Sequence, residues 1–276
     1  MSEFAVHSLL ETPTVRVMDV HCQGSRRSLS AEESATATQL VFPYRGVYVR
    51  HLGRDEAVAE ANQALFFNAG EGYRVSHPTP GGDASLTLII SEPQLRELAP
   101  RSFLRDGAAP AFRRQRLRID PRTQAIMALL RHSLRRRTAE PLEAEILALT
   151  LAKRTLTDHI THAAGGSAGR QRLADRVKLA LAGDLSRRWT LAEIAAEVGG
   201  SPVYLTQVFQ QVEGLPLYRY QLRLRLARAL DLLEHYDDLT ALSLDLGFSS
   251  HSHFSAAFRE AYGRSPSEFR RTALHR

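Results

Sequence analysis

The chain is poor in cysteine, in lysine and in long apolar runs, and each scarcity excludes something. A single cysteine, Cys22, excludes an intrachain disulfide framework and any cysteine-based zinc finger. Runs of about eighteen apolar residues, the length a membrane helix needs, are absent; the best short run, Leu86–Ile90, is strand-sized. Glu3 and the lack of an apolar stretch beside it argue against a signal peptide. The expectation is a soluble, cytoplasmic protein with no membrane partner. Only Lys153 and Lys178 are lysine among 36 cations, which leaves arginine to carry the positive charge. Arginine suits forked contacts to phosphate and carboxylate, although a GC-rich genome gives the same bias and is the preferred reading.

What is present is ordinary globular material. Hydrophobic residues make up 43% of 276, enough to exclude disorder as the main state, and the length suggests two domains. The formal charge of +6 permits a polyanionic partner without requiring one. It does not separate the halves, because residues 168–276 hold 15 Arg and Lys against 12 Asp and Glu. Any nucleic-acid reading must rest on pattern.

The pattern changes along the chain. Val15–Val20, Gly46–Leu52, Ala64–Asn68, Tyr73–His77 and Leu86–Ser91 are short segments rich in β-branched, aromatic and aliphatic residues. Turn residues separate them, among them Pro43, Gly53, residues 68–72 and residues 78–82, which predicts a small sandwich or barrel over residues 1–105. From Asp120 the period becomes helical. Pro121 suits a first helical turn, followed by Ile126, Leu129, Leu130 and Leu134. Pro141 opens a second helix with Leu142, Ile146, Leu149 and Leu156 on one side, so residues 120–163 form a helical hairpin that can serve as a dimer seam. Residues 1–163 are thus the first domain. Residues 164–170, small and uncharged, read as the linker, and residues 171–276 as an all-helical second domain. The fold class is α+β.

The second domain repeats itself. Leu191, Ile194, Val198 and Gly199 match Leu239, Leu242, Leu246 and Gly247. Leu205, Phe209, Gly214 and Tyr220 match Phe254, Phe258, Gly263 and Phe269, with a slip of one residue in the turn. Each copy predicts a short amphipathic helix, a glycine that ends it, and a serine cap (Ser201; Ser249 or Ser250). A second helix follows, anchored by aromatics on its inner face. That is a helix-turn-helix, and here there are two, joined by a continuous helix over residues 217–233. A tandem pair in register is hard to obtain from generic helix packing.

The runs Trp189–Ala195, Gly247–Arg259 and Gly263–Arg271 resemble the AraC/XylS family of transcriptional regulators, over residues 172–271. The first hundred residues resemble, more loosely, the cupin-like sensor domain that many members carry. The resemblance implies a promoter binder responsive to an unknown small-molecule effector, often an activator contacting RNA polymerase, and a homodimer. Its base-reading positions fall on Val203, Thr206 and Gln207 in the first unit and on His251, Ser252, Ser255 and Ala256 in the second. An arginine often stands where Ala256 does, so the second unit is expected to position more than it reads. Helix N-termini near Thr190, Ser249 and Ser265, with Arg187, Arg188, Arg219, Arg259 and Arg264, are the candidate phosphate contacts.

No catalytic residue, cofactor or metal is expected. Residues 165–169 match G-x-S-x-G, but a helix rather than a strand precedes them. His159 and His162 share a helix face without a third ligand, and His251 and His253 point to different sides. His21, Cys22, His51 and His77 are dispersed in sequence, and the clustered His-x-His of metal-binding cupins is missing. Phe42, His51, Phe67, Tyr73, Arg74 and His77 are the candidate effector-pocket residues. Two rival readings stand beside the regulator: a cupin-type metal enzyme fused to a DNA module, and an effector-independent architectural protein.

Overall fold

A computed structural model describes residues 4–24, 28–157 and 167–274. Ten strands come first or nearly so: β1 (Phe4–Glu11), β2 (Val15–Cys22), β3 (Glu33–Ser34), β4 (Gln39–Arg45), β5 (Tyr48–Leu52), β6 (Asp55–Ala59), β7 (Gln63–Phe67), β8 (Gly72–Ser76), β9 (Asp83–Ile90) and β10 (Arg116–Arg118). Between β9 and β10 lies the short α1 (Glu92–Leu98), and the hairpin follows as α2 (Pro121–Arg136) and α3 (Pro141–Thr157). The helical half comprises α4 (Ala168–Gly183), α5 (Leu191–Val198), α6 (Pro202–Glu213), α7 (Leu217–Leu232), α8 (Leu239–Asp245), α9 (His251–Tyr262) and α10 (Pro266–Leu274). This is the α+β architecture expected from the sequence.

The strands form a six-stranded sheet, β1-β2-β9-β4-β7-β10, and a four-stranded sheet, β3-β8-β5-β6. The larger sheet is covered on both faces. Leu40, Phe42, Tyr44, Phe66, Leu86 and Leu88 pack toward α1–α3 in the largest core. The alternate residues Val41, Leu65 and Phe67 pack with Tyr48, Ala57 and Ala59 of the smaller sheet. Because successive side chains point to opposite faces, a strand buried on both sides shows no alternation of polarity. That is why β4, buried at five of its seven positions, carries no period-2 signal.

Helix α2 begins where Asp120 accepts a hydrogen bond from the Thr123 amide at 2.8 Å, with Pro121 in the first turn, as the sequence implies. Helix α3 differs from the expected apolar side. Leu156 is fully buried, whereas Leu142 and Ile146 are 69% and 56% exposed, because Ala144, Ala148, Leu151 and Ala152 form the inward face. The expected linker also shortens. Helix α4 already includes Ala168–Arg170, while residues 164–166 and the His159/His162 pair lie outside the described residues.

The two halves share their cores. Ala61 from the β6–β7 turn packs into the core of the first helix-turn-helix unit, and Ala128 of α2 into that of the second. Buried polar contacts accompany them. Arg131 pairs with Asp231 of α7 at 2.7 Å, and His132 Nε2 lies 2.9 Å from the Leu230 carbonyl. A chain of contacts leads from there into the large sheet: Arg131 sits 4.0 Å over the Tyr44 ring, and the Tyr44 hydroxyl donates to Asp19 of β2 at 2.6 Å. At a second point Tyr220 of α7 donates its hydroxyl hydrogen to Glu60, whose other oxygen accepts the Asn62 amide at 2.7 Å.

Burial pushes the Glu60 carboxyl up to about 7, against the opposing pull of nearby Lys178. The folded protein therefore holds this proton where the unfolded chain has lost it. Between the ordinary carboxyl range and pH 7, Glu60 should make stability fall as pH rises, by at most about 1.4 kcal/mol per pH unit. Glu60→Gln keeps the size of the side chain and removes the titrating group, while turning an amide NH2 toward one of the two donors. The thermal midpoint of the variant minus that of wild type should thus rise from pH 5 to pH 8, whatever its starting value; a constant difference would show that Glu60 does not titrate in this window.

Candidate nucleic-acid interface

Each helix-turn-helix unit is built from the outside in by capping and from the inside out by aromatics. In the first, the Thr190 hydroxyl accepts the Glu193 amide at 3.2 Å, and the Glu193 carboxylate accepts the Thr190 amide at 2.8 Å, a reciprocal cap that starts α5. These bonds, with Arg187 alongside, lower the Glu193 carboxyl to about 2. Ser201 caps α6 through the Tyr204 amide at 3.2 Å. In the second unit Asp238 caps α8 through the Thr240 amide at 2.7 Å. Of the two serines left open for α9, it is Ser250 that caps, accepting from the His253 amide at 3.1 Å; Ser249 instead sits 3.2 Å from His253 Nδ1.

Beneath the caps the repeat is physical. Leu205, Phe209 and Tyr220 are buried in one core; Phe254, Phe258 and Phe269 take the matching places in the other. The glycines differ in what requires them. Gly263 has φ +74° with open space around the position of a side chain, so only its backbone conformation matters. At Gly247, φ is +79° and a Cβ would also lie 2.3 Å from the Ser186 carbonyl oxygen.

That close approach belongs to a joint between the units that sequence reasoning missed. Arg225, from the middle of α7, donates to three carbonyls: Leu185 at 2.7 Å, Arg187 at 2.9 Å and Gly247 at 3.0 Å. One guanidinium thus ties the approach to α5 to the turn of the second unit. Arg219 adds an exposed ion pair to Glu260 of α9 at 2.9 Å. Periodicity gave no hint of this joint, because an arginine on a long helix looks like any solvated cation.

The anchored helices leave one face free. Val203, 67% exposed, and Gln207 project from α6, with Thr206 half-buried and its hydroxyl donated back to the Val203 carbonyl at 2.8 Å. On α9, His251, Ser252 and Ala256 are exposed and Ser255 half-buried, its hydroxyl 3.3 Å from His251 Nε2. The candidate phosphate contacts are mixed. Arg259 and Arg264 are exposed, the latter 3.3 Å from Thr272. Arg188 reaches the Phe248 carbonyl at 3.4 Å, and Arg187 stacks 3.8 Å over Trp189 while pairing with Glu193. Thr190 and Ser265 are both engaged with a glutamate three residues on, which puts a carboxylate at each of those helix starts.

Residues 194–272 match the family described as "Helix-turn-helix domain". Relatives are transcriptional regulators. The HTH-type transcriptional activator RhaR of Klebsiella pneumoniae is 34% identical over 149 residues, 52% of this chain and 52% of that protein. The probable transcriptional regulator LumQ of Photobacterium leiognathi is 24% identical over 239 residues, covering 82% of this chain and 89% of LumQ. A solved AraC-type regulator from Chromobacterium violaceum is 30% identical, with 40% of this chain and 98% of that one aligned at a TM-score of 0.37. Residues 194–272 are thus similar to the helix-turn-helix part of regulators of transcription, one of the solved ones described as AraC-type. The chain spans about half the length of RhaR.

The helix-turn-helix half is preceded by a pocket between the two sheets, about 560 Å³ of empty space counting its open mouth. Of the six expected lining residues, Phe67, Tyr73 and His77 reach it. Phe42, His51 and Arg74 do not, and strand alternation is the reason. Val41 faces the pocket, so Phe42 faces the helices; Tyr73 and Val75 face it, so Arg74 points out toward Glu32. His51 lies against Ser76 at 2.8 Å and Glu56 at 3.3 Å.

The expectation that histidine and cysteine are dispersed is also corrected. Cys22, His77 and Asp83 converge on the pocket wall, all buried, with one donor atom of each within 4.8 Å of the others. Cys22 and Asp83 are direct cross-strand partners, and His77 Nε2 lies 2.8 Å from Asp83 Oδ2. Those contacts to Asp83 and Cys22 raise the His77 imidazole to about 10.

Gly263→Ala should cost about 1–2 kcal/mol, the price of the left-handed conformation alone. Gly247→Ala should cost at least about 1 kcal/mol more, because the backbone of Ser186 must also give way. Urea unfolding of the two variants measures both; equal losses would mean that the joint at Gly247 tolerates a side chain.

Proposed function

We propose that the protein is a sequence-specific regulator of transcription that lays α6 and α9 into two successive major-groove segments of promoter DNA. The single observation that carries this reading is the pair of helices capped at one end, anchored by aromatics beneath and left with an exposed face whose first turns carry no formal charge. Two recognition helices held by one joint suit two neighbouring groove segments.

The two faces have unequal chemistry. Gln207 offers the paired donor and acceptor that match adenine, and Val203 and the Thr206 methyl suit a thymine methyl. Helix α9 offers His251, Ser252, Ser255 and Ala256, with little reach to base edges, so the first unit carries most of the direct readout and the second mainly positions. Arg259 and Arg264 are the best-placed phosphate partners, since Arg187 and Arg219 are already paired with carboxylates.

Control comes from the N-terminal half, with a small-molecule effector in the pocket. Strand β2 supports this link: it carries Cys22 in the pocket wall and Asp19 at the start of the contacts through Tyr44 and Arg131 to Asp231 of α7. An effector shifts DNA affinity only if it binds two arrangements of this interface unequally. The exposed Leu142 and Ile146 on α3 suit a homodimer, which raises affinity by bringing in a second pair of readers. RNA polymerase is the further partner of an activator, and the cytoplasm the place where all of these meet.

The test starts with selection of bound duplexes from a random library, followed by substitution of every base in the enriched site. Gln207→Ala should cost about 1–3 kcal/mol at one base pair and relax preference there. Ser252→Ala should stay within about 0.5 kcal/mol. Equal base penalties in both halves of the site would overturn the unequal division, and no enrichment with or without candidate effectors would overturn the regulator itself.

A further inference from the structure

We propose that Cys22, His77 and Asp83 form a binding site for a thiophilic divalent metal ion, with Zn²⁺ the best fit, in the wall of the pocket between the two sheets. The proposal is independent of the DNA-binding reading.

The donor set is the first argument. A thiol, an imidazole and a carboxylate converge from three places in the chain, and their ligand atoms lie within 4.8 Å of one another. A tetrahedral site with bonds of roughly 2.0–2.3 Å places its donors roughly 3.3–3.8 Å apart, so small side-chain rotations separate the present arrangement from a coordinating one. Sulfur with nitrogen selects zinc and its neighbours over magnesium or calcium, which take oxygen donors.

The backbone is the second argument, because it fixes the donors before any ion arrives. Cys22 ends β2 exactly opposite Asp83, the first residue of β9, so the two side chains share one face of the sheet. His77 follows β8 and stands at the other end of the loop over residues 78–82. That loop is pressed onto its neighbours. A Cβ on Gly46 would lie 2.0 Å from the Gly82 carbonyl oxygen, and one on Gly24 would lie 2.7 Å from the Gly82 Cα. The loop's two ends, with His77 and Asp83 on them, are therefore held where they are.

Position is the third argument. Three protein donors leave a fourth tetrahedral place, as in sites where a zinc ion takes water or an outside ligand. The same three residues line a pocket with apolar walls that include Phe4, Val41 and Phe67. A ligand with an anionic or thiol head and an apolar body would suit such a metal. Without an ion, the same groups make a buried imidazole–carboxylate pair beside a thiol, which is the outcome the test must separate.

Chelator-treated full-length protein is titrated with Co²⁺, whose thiolate and tetrahedral bands report both sulfur ligation and geometry. One equivalent per chain should develop a thiolate-to-cobalt band in the near ultraviolet with strong visible bands, and Zn²⁺ should bleach both. Cys22→Ser should abolish the thiolate band, and Asp83→Asn and His77→Gln should each weaken binding by more than about tenfold, the range that even supporting groups reach at metal sites. Far-ultraviolet circular dichroism checks that the variants fold. Wild-type protein that gives no thiolate band with saturating Co²⁺ overturns the proposal without recourse to any variant. So does a folded Cys22→Ser protein that keeps the wild-type spectrum.

Discussion

Helix α7 has almost no side left for water, and the arrangement of everything else follows from that. Leu217, Tyr220 and Leu224 belong to the core of the first helix-turn-helix unit, and Leu226, Leu230 and Leu233 to that of the second. Its remaining surface carries Asp231 to Arg131 and the Tyr220 hydroxyl to Glu60. A helix committed in so many directions cannot shift against one neighbour without disturbing the others. Breaking a buried ion pair such as Arg131–Asp231 by removing one partner costs several kcal/mol, since the abandoned charge stays out of water. The two halves are thus less a sensor and a reader on a tether than two bodies that share one structural member.

This arrangement explains which parts of the molecule could be read from its sequence. The tandem units were legible because caps, glycines and aromatic anchors are local signals that a repeat doubles: Ser201, Gly199 and Phe209 have counterparts fifty or so residues on. The strands read from their composition and flanking turns, β2, β5, β7, β8 and β9, all lie inside the sheets. Strand β4, covered on both sides, offers no alternation to read, and the edge strands β1, β3, β6 and β10 were missed as well. The pocket was half legible. Knowing that residues 73–77 form a strand is enough to sort Tyr73 from Arg74, but only the pairing of Cys22 with Asp83 reveals that the cysteine has a histidine and a carboxylate for neighbours. Sequence distance hides what register supplies. Asp83 stands just past the turn residues 78–82, at the first position of β9, and nothing local marks it.

The contacts between the halves were the least legible of all. Arg131 and Arg225 sit on helices whose existence periodicity predicts, and Glu60 in the turn between β6 and β7, yet nothing local marks any of them as partnered across the structure. A charged residue on a helix is solvated in most cases, and the bland assignment is the sound one until a partner is seen. The expected linker encouraged the same view, because a small, flexible run suggests two independent bodies. Its length says nothing about whether the bodies then adhere.

The joint at Arg225 has a consequence for how such a protein can change over generations. Its three acceptors are all main-chain carbonyls, of Leu185, Arg187 and Gly247, so the side chains at Leu185 and Arg187 are not what it holds. Substitution of the exposed Arg187 can alter what the surface offers to a binding partner while the mutual placement of the two units persists, whereas Leu185 also packs against the first unit's core. The burden of inheritance falls on Arg225 itself, and on a glycine that admits no side chain. The surface can drift; the hinge pin cannot.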